Sequence, residues 1–258
     1  MLLELKNIDQ SFRKGTPDET ILFQNFCYGV EKGQFVSVVG SNGSGKTTML
    51  NIICGSIRPD GGRVLFGGED ITDMDEYRRA RRMGRVLQDP AAGTCAGLTI
   101  LENLALSDNK GRRYGLGGAV DKRRKERYRE LLQECGMGLE DRLDAKVGTL
   151  SGGQRQALAL VIANMADIEL MILDEHTAAL DPKSSETIME LTHRLIRLKD
   201  ITAVMVTHNL RHAVDYGDRL TMFHEGSVVM DLSGQEKQAA KVDDLLGKFY
   251  EISIEKGN

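Results

Sequence analysis

The sequence predicts an α/β protein built on a largely parallel sheet, and three observations carry that expectation. Three short apolar runs, Phe35-Val36-Ser37-Val38-Val39, Leu170-Met171-Ile172-Leu173 and Ala203-Val204-Met205-Val206, read as strands buried on both faces. Each lies beside a segment with helical spacing, the alternation expected of a parallel sheet with crossover helices. The 258 residues, 41% hydrophobic and 28% charged, suffice for one buried core, or one core carrying an inserted subdomain, with no internal repeat.

Taken in order, the opening reads as β. Leu3-Glu4-Leu5 and Ile8 alternate with polar residues, Lys14-Gly15-Thr16-Pro17-Asp18 is turn-rich, and Ile21-Leu22-Phe23 resumes the pattern. The stretch of about 91–165 has another texture. Residues 98–106 and 122–135 show helical spacing, and a Gly-rich, basic segment lies around 110–118. This predicts a single domain over 1–258, with a core from about 1–90 and 166–235 and a helical subdomain inserted at about 91–165. The tail, 236–258, mixes charged and apolar residues and predicts little. The run Lys122-Arg123-Arg124-Lys125-Glu126-Arg127 has two readings, a contact for nucleic acid or anionic lipid and a solvated helix face.

Composition excludes several classes. A net charge of −4 argues against a protein that coats nucleic acid, which needs a strongly basic face. The four cysteines (Cys27, Cys54, Cys95, Cys135) form no CxxC pair, so they predict reduced thiols packed as small apolar groups. Met1-Leu2-Leu3-Glu4-Leu5-Lys6 places charges where a secretory signal needs an apolar stretch. No run approaches the roughly 18–20 apolar residues of a spanning helix. Work at a membrane would therefore go through a partner.

The chemistry begins after the first buried strand. Gly40-Ser41-Asn42-Gly43-Ser44-Gly45-Lys46-Thr47-Thr48 fits G-x-x-x-x-G-K-[ST] in the strand–loop–helix context that pattern requires. Glycines let successive backbone N–H groups converge on one anion, and the following helix adds its positive end. Lys46 can neutralise β- and γ-phosphates, and the Thr47 hydroxyl is a hard oxygen ligand for Mg²⁺. At the end of the second buried run stand Asp174 and Glu175, where open α/β sheets bind ligands. Successive side chains diverge as a strand ends, so Asp174 would hold Mg²⁺ and Glu175 would polarise the attacking water. A solvent-facing acid pair is the bland alternative.

A second Gly-rich loop, Leu150-Ser151-Gly152-Gly153-Gln154, opens an apolar helical run and makes a second anion site by the same physics. It resembles the LSGGQ signature of ATP-binding-cassette (ABC) proteins. Other family marks follow. Gln88 in Val86-Leu87-Gln88-Asp89 resembles the Q-loop, Ala178-Ala179-Leu180-Asp181 the D-loop, and His208 the switch histidine, while Phe12 takes the place of the adenine-stacking aromatic. The resemblance runs from about Leu3 to Met230 in the family's order.

It implies a P-loop NTPase core with an N-terminal antiparallel β subdomain and an inserted α-helical subdomain, using ATP and Mg²⁺. Phe12 and the residues from Gly40 to Thr48 would contact the nucleotide. Ser151, Gly152, Gly153, Gln154 and Asp181 would complete the site of a second copy in a head-to-tail dimer. Thr47, Gln88 and Asp174 would surround the metal; Glu175, His208 and Gln88 would serve catalysis. Taken alone, His208 with His212 can also be half of a metal site, and Phe12 a core aromatic. One departure stands out: most cassettes have Pro after the catalytic Glu, and this chain has His176.

Three functions remain open. The first is the ATPase subunit of a transporter with a separate membrane-spanning permease, received by a groove beside Gln88 and residues 90–104, and at times a solute-binding protein. The second is a soluble ATPase of iron–sulfur assembly. The third is a nucleic-acid cassette, disfavoured because neither a long coiled coil nor a second cassette is present. The run from Asp174 to Lys183 resembles importer subunits associated with amino-acid uptake. That places the protein in the cytoplasm, peripheral on the inner face of the membrane.

Overall fold

The structure is a computed structural model describing residues 1–110 and 120–255. Beyond Lys110, the Gly-rich segment expected at about 110–118 lies outside them. The elements in order are β1 (Leu3–Phe12), β2 (Thr20–Val30), β3 (Phe35–Gly40), α1 (Lys46–Cys54), β4 (Gly61–Phe66), β5 (Glu69–Asp70), α2 (Glu76–Arg79) and β6 (Met83–Val86). There follow α3 (Ile100–Asp108), α4 (Lys125–Gln133), α5 (Gly152–Asn164), β7 (Leu170–Asp174), α6 (Pro182–Leu198), β8 (Thr202–Val206), α7 (Leu210–Asp215), β9 (Arg219–His224), β10 (Ser227–Ser233), α8 (Gly234–Ala239) and α9 (Val242–Glu255). They fall into two compact units, Met1–Met74 with the chain from Thr202 onward, and Asp75–Ile201.

In the first unit, β1 pairs antiparallel with β2 and β4, and β5 extends that sheet. Its β3 lies between β8 and β9, parallel to both, with β10 returning antiparallel beside β9. Every residue of β3 and β8 is buried, which is why the sequence there is a continuous apolar run rather than an alternation. Aromatic side chains tie the antiparallel strands to β9. Phe26 stacks on Phe23 at 4.5 Å between centroids and meets Phe223 at 5.7 Å. The Tyr28 hydroxyl meets that of Thr221 at 3.0 Å inside the core, and burial pushes the phenol up to about 12.

The tail that predicted little forms two helices. Leu245 of α9 is fully buried against Val39, Ala213, Leu220 and Met222, with Phe249 and Ile252 packed at the margin. Burying one such leucine is worth about 1.5–3 kcal/mol, so α9 is held by Leu245 together with Phe249 and Ile252 rather than by helix propensity alone.

In the second unit, β6 and β7 pair in parallel, Met83 opposite Leu170 through Val86 opposite Leu173. α5 is buried along an unbroken run from Gln156 to Val161, so its apolar sequence shows little sidedness. α6 buries Ile188, Met189, Thr192, Leu195 and Ile196 on one face and leaves Leu198 exposed. α3 starts one residue after Thr99, whose side chain and that of Glu102 form a reciprocal cap. The basic run near α4 engages carboxylates of its own unit. Arg124 pairs with Asp108, Lys125 with Asp144 at 3.2 Å, and Arg129 with Glu126 at 3.1 Å, which favours the bland reading of those charges.

Candidate nucleotide-binding site

Residues from Gly40 to Thr48 turn the end of β3 into the start of α1. At Gly40, φ is +153° and a Cβ would stand 2.2 Å from the Phe223 carbonyl oxygen, so only glycine lets the loop pass β9. Ser44 is buried, Asn42, Gly43 and Thr47 are exposed, and Thr48 is half-buried. The loop closes on Lys46, whose side chain is interior; its Nζ donates to the carbonyls of Gly40 and Ser41, both at 2.8 Å. A buried ammonium ringed by loop backbone at a helix N-terminus fits a polyphosphate.

His208 stands just past the end of β8. Because Val38 pairs with Val206 and the Thr207 N–H donates to the Val38 carbonyl at 3.1 Å, it leaves the sheet at the same end as the phosphate loop. His208 is exposed; His212 is buried within α7, edge-on to Tyr216 at 6.0 Å. Among the described residues no group of three or more His, Cys, Asp or Glu side chains could hold a metal. Phe12, at the end of β1, is 38% exposed, so the core alternative for it is set aside.

The turn between β9 and β10 braces this loop, and sequence reasoning missed it. The Gly226 N–H donates to the Ser44 carbonyl at 3.0 Å, and His224 Nδ1 lies 3.5 Å from Ser41 Oγ. His224 is 183 residues from Ser41, and no local pattern announces the pair.

In the second unit, the parallel register of β6 and β7 sets Gln88, Asp174 and Glu175 at one strand end. Gln88 is exposed, and the Leu87 carbonyl before it accepts from Gln156 Nε2 at 3.2 Å. Asp174 Oδ2 accepts from Arg85 Nη2 at 3.1 Å, a half-buried pair that sequence reasoning also missed. Glu175 has φ +50°, the left-handed region, and its carbonyl accepts from the Ala178 N–H at 2.9 Å.

Ser151 caps α5. Its hydroxyl accepts from the Gln154 N–H at 3.2 Å while Gln154 Oε1 accepts from the Ser151 N–H at 3.2 Å, so Gln154 shapes the loop. Gly152 is exposed and Gly153 buried; a Cβ on Gly153 would crowd Ser184 of α6 at 3.2 Å. Asp181 caps α6, accepting from the Ser184 N–H at 3.0 Å, and these hydrogen bonds from Ser184 hold its carboxyl below the ordinary range. Both helices thus present capped, positive N-termini. Hydroxyls, carboxylates and an amide suit Mg²⁺, which takes hard oxygens and commonly shares them with phosphate.

The chain is similar to known proteins over most of its length. The model of a family described as "ABC transporter" matches residues 23–178. A tyrosine transport ATP-binding protein of Clostridioides difficile is 44% identical over 248 residues, 96% of this chain and 98% of its own length. A phosphonates import ATP-binding protein, PhnC, of Treponema denticola is 31% identical over 267 residues, 100% of this chain and 98% of its own. Among solved structures, a dimeric post-hydrolysis state of the ATP-binding cassette MJ0796 bound to ADP and Pi superposes with a TM-score of 0.76 at 30% identity. The match covers 90% of this chain and 98% of that one. Phosphate loop, strand-end acids, capped signature loop and these relatives converge: the chain belongs to the ABC transporter family, as an ATP-binding and ATP-hydrolysing cassette that works with Mg²⁺.

Proposed function

We propose that this cassette powers uptake of an amino acid through a separate membrane-spanning permease, acting as a head-to-tail pair with a second copy of itself. The observation that carries the ATPase part is the buried Lys46 ammonium ringed by loop carbonyls. The cargo rests on the 44% identical relative named for tyrosine transport. Its name, like that of the phosphonate relative, speaks for transport over iron–sulfur assembly.

In this reading Lys46 offers its ammonium to the β- and γ-phosphates in place of the two carbonyls it now meets, and the loop N–H groups take the remaining oxygens. Phe12 stacks on the adenine. Bound Mg²⁺ supplies charge screening of the phosphates, with Thr47, Asp174 and Gln88 as its protein neighbours. Glu175 orients the attacking water and draws off its proton; His208 donates to the γ-phosphate. The second copy contributes Ser151, Gly152 and Gly153 to the γ-phosphate shell, with Gln154 fixing that loop and Asp181 facing across the pair.

Beside β6 lies a cavity of about 470 Å³ lined by Arg85, Thr94, Cys95, Asn103, Leu106 and Ala159. It adjoins the stretch after Gln88 and would seat a cytoplasmic segment of the permease. In this reading the contact with the permease holds the cassette at the inner face of the membrane; no described helix is long and apolar enough to cross it. The test is a gentle-detergent pull-down of the tagged protein from native membranes, followed by mass spectrometry. A multispanning protein in stoichiometric yield is expected, with a solute-binding protein marking import; a purely soluble partner set would overturn the transporter reading.

A further inference from the structure

We propose that His176 is a positioning residue that fixes the Glu175 carboxylate by anchoring its turn to α6. The inference rests on the reading of Glu175 as the group that activates water.

The backbone states the need. Glu175 is a non-glycine residue at φ +50°, a conformation that persists only where its surroundings hold it. The turn after it is internally bonded, Ala178 N–H to the Glu175 carbonyl at 2.9 Å and Leu180 N–H to the Thr177 carbonyl at 3.2 Å. Those bonds shape the turn but do not fasten it to anything.

His176 does the fastening. Its side chain is 1% exposed, and Nε2 lies 3.1 Å from Thr192 Oγ1, itself fully buried on α6. The Thr192 hydroxyl donates to the Ile188 carbonyl at 2.7 Å. With its proton committed there, the oxygen can only accept from the imidazole, so Nε2 carries a hydrogen and the tautomer is set. A proline at this place has no side-chain donor and cannot make the bond. At the other end of the same stretch Asp181 caps α6 through the Ser184 N–H at 3.0 Å. The segment from Glu175 to Asp181 is thus strapped to one helix at both ends. Any shift of α6 is handed to the residue next to Glu175, through a buried bond that water cannot replace.

Four variants test this: Glu175→Gln, Thr192→Val, His176→Phe and His176→Gln, each assayed for steady-state phosphate release, for affinity toward a fluorescent ATP analogue and for thermal unfolding. Misplacing a reacting group by about an ångström costs up to a hundredfold in rate. Thr192→Val and His176→Phe are therefore expected to lower kcat about tenfold to a hundredfold with nucleotide affinity unchanged. His176→Gln, whose amide can donate from nearly the Nε2 position, should recover most of it. If His176→Phe does not fold, Thr192→Val, which keeps the shape of its site, decides. Wild-type kcat in Thr192→Val, or kcat, affinity and unfolding temperature falling together, overturns the positioning role. Wild-type turnover in Glu175→Gln instead removes the water-activating reading on which the inference stands, so the two failures are distinguishable.

Discussion

Glu175 and Asp174 are adjacent, yet their surroundings separate their work. Asp174 faces the Arg85 guanidinium at 3.1 Å, a contact that fixes the orientation of its carboxylate. Glu175 leaves the strand in a left-handed turn, which swings its side chain out of the strand's alternation. Glu175→Gln keeps the shape and removes the basic oxygen, so turnover is expected to fall on the order of 10²–10⁴-fold while ATP binding persists. Size-exclusion chromatography with ATP should then show a trapped dimer. A variant that stays monomeric with ATP, or that turns over normally, would reject the assignment. At this scale the sequence was most informative about groups adjacent along the chain. The phosphate loop, the acid pair and the capped Ser151–Gln154 loop are local patterns, because one stretch of backbone builds each.

Among the elements, the turn joining β9 to β10 carries more than its short length suggests. Gly226 sits at φ +74°, and a Cβ there would stand 1.7 Å from the Leu22 carbonyl oxygen. Gly226→Ala therefore adds left-handed strain to a backbone collision and is expected to destabilise by about 3 kcal/mol or more. The same N–H reaches Ser44 of the phosphate loop, so nucleotide affinity should fall as well. Urea unfolding and nucleotide titration of one preparation read both effects; unchanged stability would show that the turn can relax. Strands β3, β7 and β8 were legible because burial on both faces leaves no choice of residue type. Helix α9 was not, since its packing comes from Leu245 meeting Val39 and Leu220, residues supplied by distant strands.

For the whole molecule, acid is the informative stress. Burial pushes the Asp108 carboxyl up, yet hydrogen bonds from Tyr128 and Arg124, with the charges of Arg124 and Arg127, outweigh it and hold the group below the ordinary range. The stabilisation from such a depressed carboxyl is fully present above the unfolded value of about 4 and is lost as pH falls through the lower folded value. Asp108→Asn should lower the unfolding midpoint at neutral pH, and the gap to wild type should close below about pH 4. A gap independent of pH would mean that packing, rather than charge, accounts for the loss.

What was legible along the chain is what a short stretch can enforce: buried strands through apolar runs, and an anion cradle through glycine spacing. The ATP-hydrolysing cassette was readable because the Ser151–Gln154 loop and the motifs around it resemble those of the ABC family. Tertiary structure decided which distant side chains complete the machinery: Arg85 beside Asp174, His224 beside Ser41 and Thr192 beneath His176. No periodicity encodes such pairs, because strand register and helix packing, set by the burial of the core, bring their members within hydrogen-bond reach.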